Sequence, residues 1–150
     1  MLNLSEHELD LALAAINKHG YGDFFPEPPE LSLLIANWQD IRAGIAQVDL
    51  DLYGGYDVTF AFAPKSRLNV RRVALLHPFD LVLYTALVLK LRNGITASRP
   101  QPHENRVFSY RADGADDGSL YNEQPGYGDF TEAVTVRVNE IQNRTLGLQI

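Results

Sequence analysis

Lys65, Arg67, Arg71 and Arg72 fall within a short stretch that contains no carboxylate. Clustered cations of one sign suit phosphate contact: arginine offers a planar fork to phosphate oxygens, and lysine a compact charge. The cluster heads a longer basic block. Between Pro64 and Arg111, nine Lys and Arg stand against Asp80 and Glu104, a balance of +7. The remainder holds four bases against seventeen acids, −13, so the net charge of −6 over 150 residues hides two opposed regions. A one-sign block matches the electrostatics of a nucleic-acid backbone. The competing reading is a solvated surface balanced by its own acidic flanks.

Other chemistries find no support. The chain has no cysteine, which excludes a disulfide framework, a thiolate metal site and a Cys nucleophile. His7, His19, His77 and His103 lack metal-ligand spacing and read as surface or cap residues. Asp113, Asp116 and Asp117 precede Gly118 in the manner of a calcium loop, but Ala115 and Gln124 then stand where ligands belong. There is no nucleophile-elbow serine and no glycine-rich phosphate loop, and the two Tyr-Gly-Asp-Phe copies, at Tyr21 and Tyr127, have unlike contexts. No catalytic residue and no metal ligand is assigned. Composition is ordinary for a globular chain, 45% apolar and 21% charged. The start carries no signal core, and the longest apolar stretch, Leu81 to Leu91, includes Lys90 and is too short for a bilayer. A soluble, cytoplasmic protein without membrane contact is expected.

The elements that must position the cations follow from local pattern. Ser5 and Glu8 form a capping box that opens a helix, which stops at Gly20. Pro26, Pro28 and Pro29 keep the next segment a loop. From Glu30, the spacing of Leu31, Leu34, Ile35, Trp38, Ile41 and Ile45 predicts one helix with a buried stripe. Gly54-Gly55 breaks the chain, and alternation over Tyr56 to Ala63 predicts a strand ended by Pro64. Val70 to Leu76 reads as the returning strand of a hairpin, a stiff lever for the cations. Pro78 opens a third helix with Phe79, Leu83, Leu87 and Leu91 on one face, fraying at Gly94. Val107 to Tyr110 is a short strand, 112–128 a loop, and a last helix lies within Phe130 to Gln142.

The order of these residues resembles the prokaryotic reverse transcriptases, in particular those of phage-defence systems. That family has a Pro-Lys, a short turn, an Arg on the returning strand, a Pro-x-Asp helix start and a later Tyr-Arg element. Lys65, Arg71, Arg72, Asp80, Tyr110 and Arg111 occupy comparable places, and Phe24-Phe25-Pro26 with Glu30 and Trp38 resembles the segment upstream of the fingers. The resemblance covers about residues 20–111. It implies a fingers region that contacts an RNA or DNA primer-template and the incoming dNTP. The family's two magnesium ions sit on palm aspartates, including a Tyr-x-Asp-Asp turn. No such turn occurs here, since Asp116-Asp117 lies in a Gly/Asp loop. Magnesium is therefore expected only for a complete polymerase, no cofactor is expected in this chain, and the chain alone is expected to be inactive.

The expectation is an α+β fold in which helices flank an antiparallel β-hairpin, like the fingers of a right-hand polymerase. Residues 1–55 form a helical segment, 56–111 the basic hairpin-helix region, and 112–150 a loop and C-terminal helix, together one folded unit. Lys65, Arg67, Arg71, Arg72 and Arg111 are the expected nucleotide- or nucleic-acid-binding residues, with possible contact to a missing palm. The alternatives are a non-enzymatic nucleic-acid- or partner-binding module, and a small acidic interaction protein whose basic block meets its own acidic flank.

Overall fold

The computed structural model describes residues 2–21, 26–65, 69–98, 117–121 and 126–147. These form α1 (Glu6–His19), α2 (Pro29–Ala36), α3 (Trp38–Ala46), β1 (Thr59–Lys65), β2 (Asn69–Leu75), α4 (Pro78–Ser98) and α5 (Tyr127–Gly147), an α+β arrangement with one two-stranded antiparallel sheet. The chain divides into two compact units, Met1–Leu91 with Ala115–Ser119, and Arg92–Gly114 with Leu120–Ile150. The predicted strand Val107 to Tyr110 lies outside the described residues. Among the described residues, no helix is long and apolar enough to cross a membrane.

In the first unit, α1 forms where its capping chemistry dictates. The Glu8 amide donates to Ser5 Oγ at 3.2 Å, and the Ser5 amide donates to Glu8 Oε2 at 2.8 Å. Two otherwise orphaned amides are thereby satisfied. Leu9, Ala12, Leu13, Ala15 and Ile16 are buried on one side of the helix, with Leu31, Trp38 and Ile45 from α2 and α3 also in the core. Asp10 ties α1 to α3, accepting from the Trp38 indole at 2.6 Å and from Arg42 at 2.9 Å. Arg42 also meets Glu6 at 3.0 Å.

The single helix expected from Glu30 is two. Asn37 separates α2 from α3, with φ −106° and ψ 14°, and its side-chain amide donates to the Leu33 carbonyl at 2.8 Å. Asparagine offers the backbone a local partner of its own and so interrupts the ladder. Of the predicted stripe, Leu31, Trp38 and Ile45 are buried, while Leu34, Ile35 and Ile41 are half-buried.

The α4 helix starts at Pro78 as expected, capped by His77, whose Nδ1 accepts from the Phe79 amide at 3.2 Å. Its buried side differs from the predicted line. Pro78, Val82, Leu83, Thr85, Ala86 and Leu89 are buried, whereas Leu91 is 57% exposed. Strict i, i+4 steps drift around a 3.6-residue helix, so the predicted line winds away from the covered side. Gly94 does not end the helix, which continues to Ser98.

The α5 helix begins at Tyr127, ahead of the expected start. Asp129 explains this, since its carboxylate accepts the Gly126 amide at 2.7 Å and caps the turn from inside.

Part of the expected 112–128 loop docks on α1. Lys18 Nζ lies 3.2 Å from Asp117 Oδ2 and donates to Ser119 Oγ at 2.7 Å, while the Ser119 amide donates to Asp117 Oδ1 at 2.9 Å. The Asp117 carboxyl is held at about 2, below its ordinary 3.8, by the Ser119 hydroxyl and amide and then by Lys18. A depressed carboxylate stabilises the fold fully above its unfolded value and loses that contribution as pH falls through its folded value. The stability difference between the wild-type chain and Asp117→Asn is therefore expected near neutrality and expected to vanish as pH drops from about 4 to about 2. Urea melts of both proteins across that range check this, and a difference independent of pH would refute it.

Candidate nucleic-acid interface

The hairpin register pairs Thr59 with Leu75, Phe62 with Arg72, Ala63 with Arg71, and Lys65 with Asn69. Strand β1 begins later than predicted and passes through Pro64 to Lys65, so proline does not end it. In a two-stranded ribbon each strand is an edge, and a residue without an N–H costs no interior ladder bond. Arg67 belongs to residues 66–68, and Arg67 and Arg111 both lie outside the described residues.

Because side chains alternate across a strand, the register sorts the ribbon into two faces. Thr59, Ala61, Ala63 and Lys65 share one face with Leu75, Val73, Arg71 and Asn69. This face is the more covered one: Ala63, towards the turn end, is buried, and Ala61, Val73 and Leu75 are half-buried. Phe60, Phe62 and Pro64 share the other with Ala74, Arg72 and Val70, and all six are exposed. The Arg72 guanidinium lies 3.7 Å above the Phe60 ring centroid. Phe62 is 67% exposed and Val70 66%. Lys65 and Arg71 therefore stand on the face opposite Arg72, although Arg71 and Arg72 adjoin in sequence. Among the described residues, neither Lys65 nor Arg72 forms an ion pair with a carboxylate.

Among the described cations of the wider basic block, Lys90 does not join the ribbon. Lys90 turns back to α1, 3.1 Å from Glu8 Oε1 and 3.0 Å from the Asn3 carbonyl oxygen. Burial pushes the Glu8 carboxyl up, but the Ser5 amide, Lys90 and the Ser5 hydroxyl outweigh it and hold the group below the usual range. A lysine committed in this way is part of the fold.

At the root of the ribbon, Asp80 in the first turn of α4 receives two donors. Tyr53 Oη donates to Asp80 Oδ1 at 2.6 Å, and the Tyr56 amide donates to Oδ2 at 2.8 Å. Burial pushes the Tyr53 hydroxyl up, and its hydrogen bond to the Asp80 carboxylate pushes it further. The Tyr56 ring stacks on His77 at 3.9 Å between centroids, tilted by 19°, and Phe79 meets Tyr53 at 5.9 Å. Gly55 lies between the two donor residues with φ +69°, a left-handed conformation that disfavours side chains.

The residues missed from sequence are Phe60 and Phe62. Their alternation was readable, but their outward direction was not. The only signal in the sequence is charge: Thr59 to Leu75 carries four bases and no acid. Among the described residues there is no group of three or more His, Cys, Asp or Glu that could hold a metal ion. Comparison of the chain with protein-family models, curated proteins and solved structures finds no match.

Proposed function

We propose that the β1–β2 ribbon is a nucleic-acid-binding arm, and that the chain is a fingers-like, template-contacting portion of a reverse transcriptase whose catalytic carboxylates are not in this sequence. The carrying observation is the composition and exposure of the ribbon: Lys65, Arg71 and Arg72 on an acid-free hairpin, with Arg72 over an exposed Phe60. Cations that follow a phosphate backbone, interleaved with aromatic rings that accept bases, are the two components of single-strand binding. Arginine on both faces lets one strand be gripped across the ribbon. The reading favours unpaired strands, because a base held in a duplex stack is closed to Phe60 and Phe62.

Fluorescently labelled single-stranded RNA or DNA is expected to bind the purified chain more tightly than the matched duplex. Three or four engaged cations at about 0.7 each give a slope of log affinity against log salt on the order of −2 to −3. The acidic remainder opposes this at long range, so low ionic strength is the condition to use. Equal binding of duplex and single strand, or a slope near zero, would count against the arm.

A further inference from the structure

Asp80 is half-buried, lies at the start of a helix and spends both carboxylate oxygens on a loop that precedes β1. The arrangement exceeds what the helix itself requires, because α4 is already capped by His77 through the Phe79 amide. The loop it holds contains Gly54-Gly55, and Gly55 has a left-handed backbone that glycine adopts without steric cost. A Cβ on Gly55 would lie 3.7 Å from Asp80 Oδ1, in ordinary contact, so the carboxylate closes directly over the hinge. Beyond the hinge, the ribbon makes its extensive hydrogen bonding within itself, and its outer face is open. Tyr56, the first residue after the hinge, is clamped twice, by its amide on Asp80 and by its ring on His77.

We propose that Asp80 and Tyr53 form a latch across the Gly54-Gly55 hinge that sets the angle of the β1–β2 ribbon on α4, which makes Asp80 a positioning residue for the arm. Its consequence for binding rests on the nucleic-acid reading of the ribbon; the latch itself does not. The two hydrogen bonds pull from opposite sides of the hinge, Tyr53 before it and Tyr56 after it. The Tyr56 ring on His77 and the Tyr21 hydroxyl, which donates to the Leu76 carbonyl at 2.7 Å, hold the ribbon's root beside them, and the two Asp80 bonds fix the loop at the hinge. Asparagine at 80 can still accept from the Tyr56 amide and can donate to the Tyr53 oxygen, so Asp80→Asn retains the latch in neutral form. Alanine at 80 removes it, and Tyr53→Phe removes half of it.

The chain has no cysteine, so spin labels at Asn69→Cys on the ribbon and Tyr84→Cys on the exposed side of α4 report one distance. With the wild-type latch, a single narrow distance distribution is expected. Asp80→Ala is expected to split or broaden it, Tyr53→Phe to broaden it less, and Asp80→Asn to restore it. Tyr53→Phe deletes one oxygen and keeps the ring, so it decides the matter even where Asp80→Ala disturbs folding. An unchanged distribution in Tyr53→Phe and in Asp80→Ala, with circular dichroism unchanged, would overturn the latch. In parallel, oligonucleotide affinity is expected to fall about threefold to tenfold in Asp80→Ala with the salt slope kept, as the fraction of correctly directed arms falls. Should the wild-type chain bind no oligonucleotide, the nucleic-acid reading fails, and the label distances still decide the latch.

Discussion

Replacing Lys65, Arg71 and Arg72 together by alanine is expected to flatten the salt dependence of single-strand binding by about two units of log affinity per log salt. Each phosphate neutralised on a single strand releases counterions worth about 0.7 of slope, and three side chains are removed. Replacing Phe60 and Phe62 by alanine is expected to act differently. Base stacking on an aromatic ring contributes about 1–3 kcal/mol per base and releases no counterions, so affinity drops at every salt concentration while the slope stays. Charge and stacking are thereby separated in a single plot, one changing the gradient and the other the intercept. All five side chains are exposed, and among the contacts these variants remove within the protein is the stacking of Arg72 on Phe60, about 0.5–1 kcal/mol. Lys18→Ala is the control, since Lys18 is already occupied by Asp117 and Ser119. Arg42→Ala is a second control outside the ribbon; like Lys18 it is ion-paired within the fold, to Glu6 and Asp10 of α1. If the charge variant and the Lys18 variant give the same slope, the ribbon is not the contact surface. Far-UV circular dichroism run beside the titration shows that each variant is folded.

Gly118→Ala is expected to be strongly destabilising. Gly118 is buried with φ +84°, and a Cβ there would sit 2.9 Å from the Ala14 carbonyl carbon and 3.0 Å from its oxygen. Backbone atoms of α1 cannot rotate aside as a side-chain end can. The left-handed conformation costs an L-residue roughly 1–2 kcal/mol and overpacking a further 1–3, so a destabilisation of about 2–5 kcal/mol is expected. For a chain of this size that lowers the melting temperature by about 5–15 °C. Gly44→Ala supplies the contrast. Gly44 lies within α3 with nothing within 4 Å of the added carbon, so alanine is expected to stabilise by about 0.5–1 kcal/mol through helix propensity. Thermal or urea melts of both variants decide the issue, and a Gly118→Ala protein as stable as wild type would show that this segment does not dock on α1.

What the sequence determined by itself was local. The capping box at Ser5 and Glu8, the helix start at Pro78, the alternation through Phe60 and Phe62, and the antiparallel return through Arg71 and Arg72 depend on neighbours a few residues away. Such chemistry is complete within the segment that carries it. The adjacency of Arg71 and Arg72 also guaranteed opposite faces once the segment was a strand. Which face would be covered was decided elsewhere. The small Ala61 and Ala63 turned inward and the large Phe60 and Phe62 outward, the reverse of what side-chain size alone suggests, because one face of the ribbon is covered and the other is left exposed. Lys90 looked like one more cation of the basic block until the fold brought Glu8, 82 residues away, within hydrogen-bonding reach. Asp80 likewise read as an acidic residue suited to a helix start, and its two bonds to Tyr53 and Tyr56 exist only because the loop folds back over it. Burial and long-range pairing depend on which surfaces meet, and a pattern along the chain records its own periodicity without recording what lies across from it.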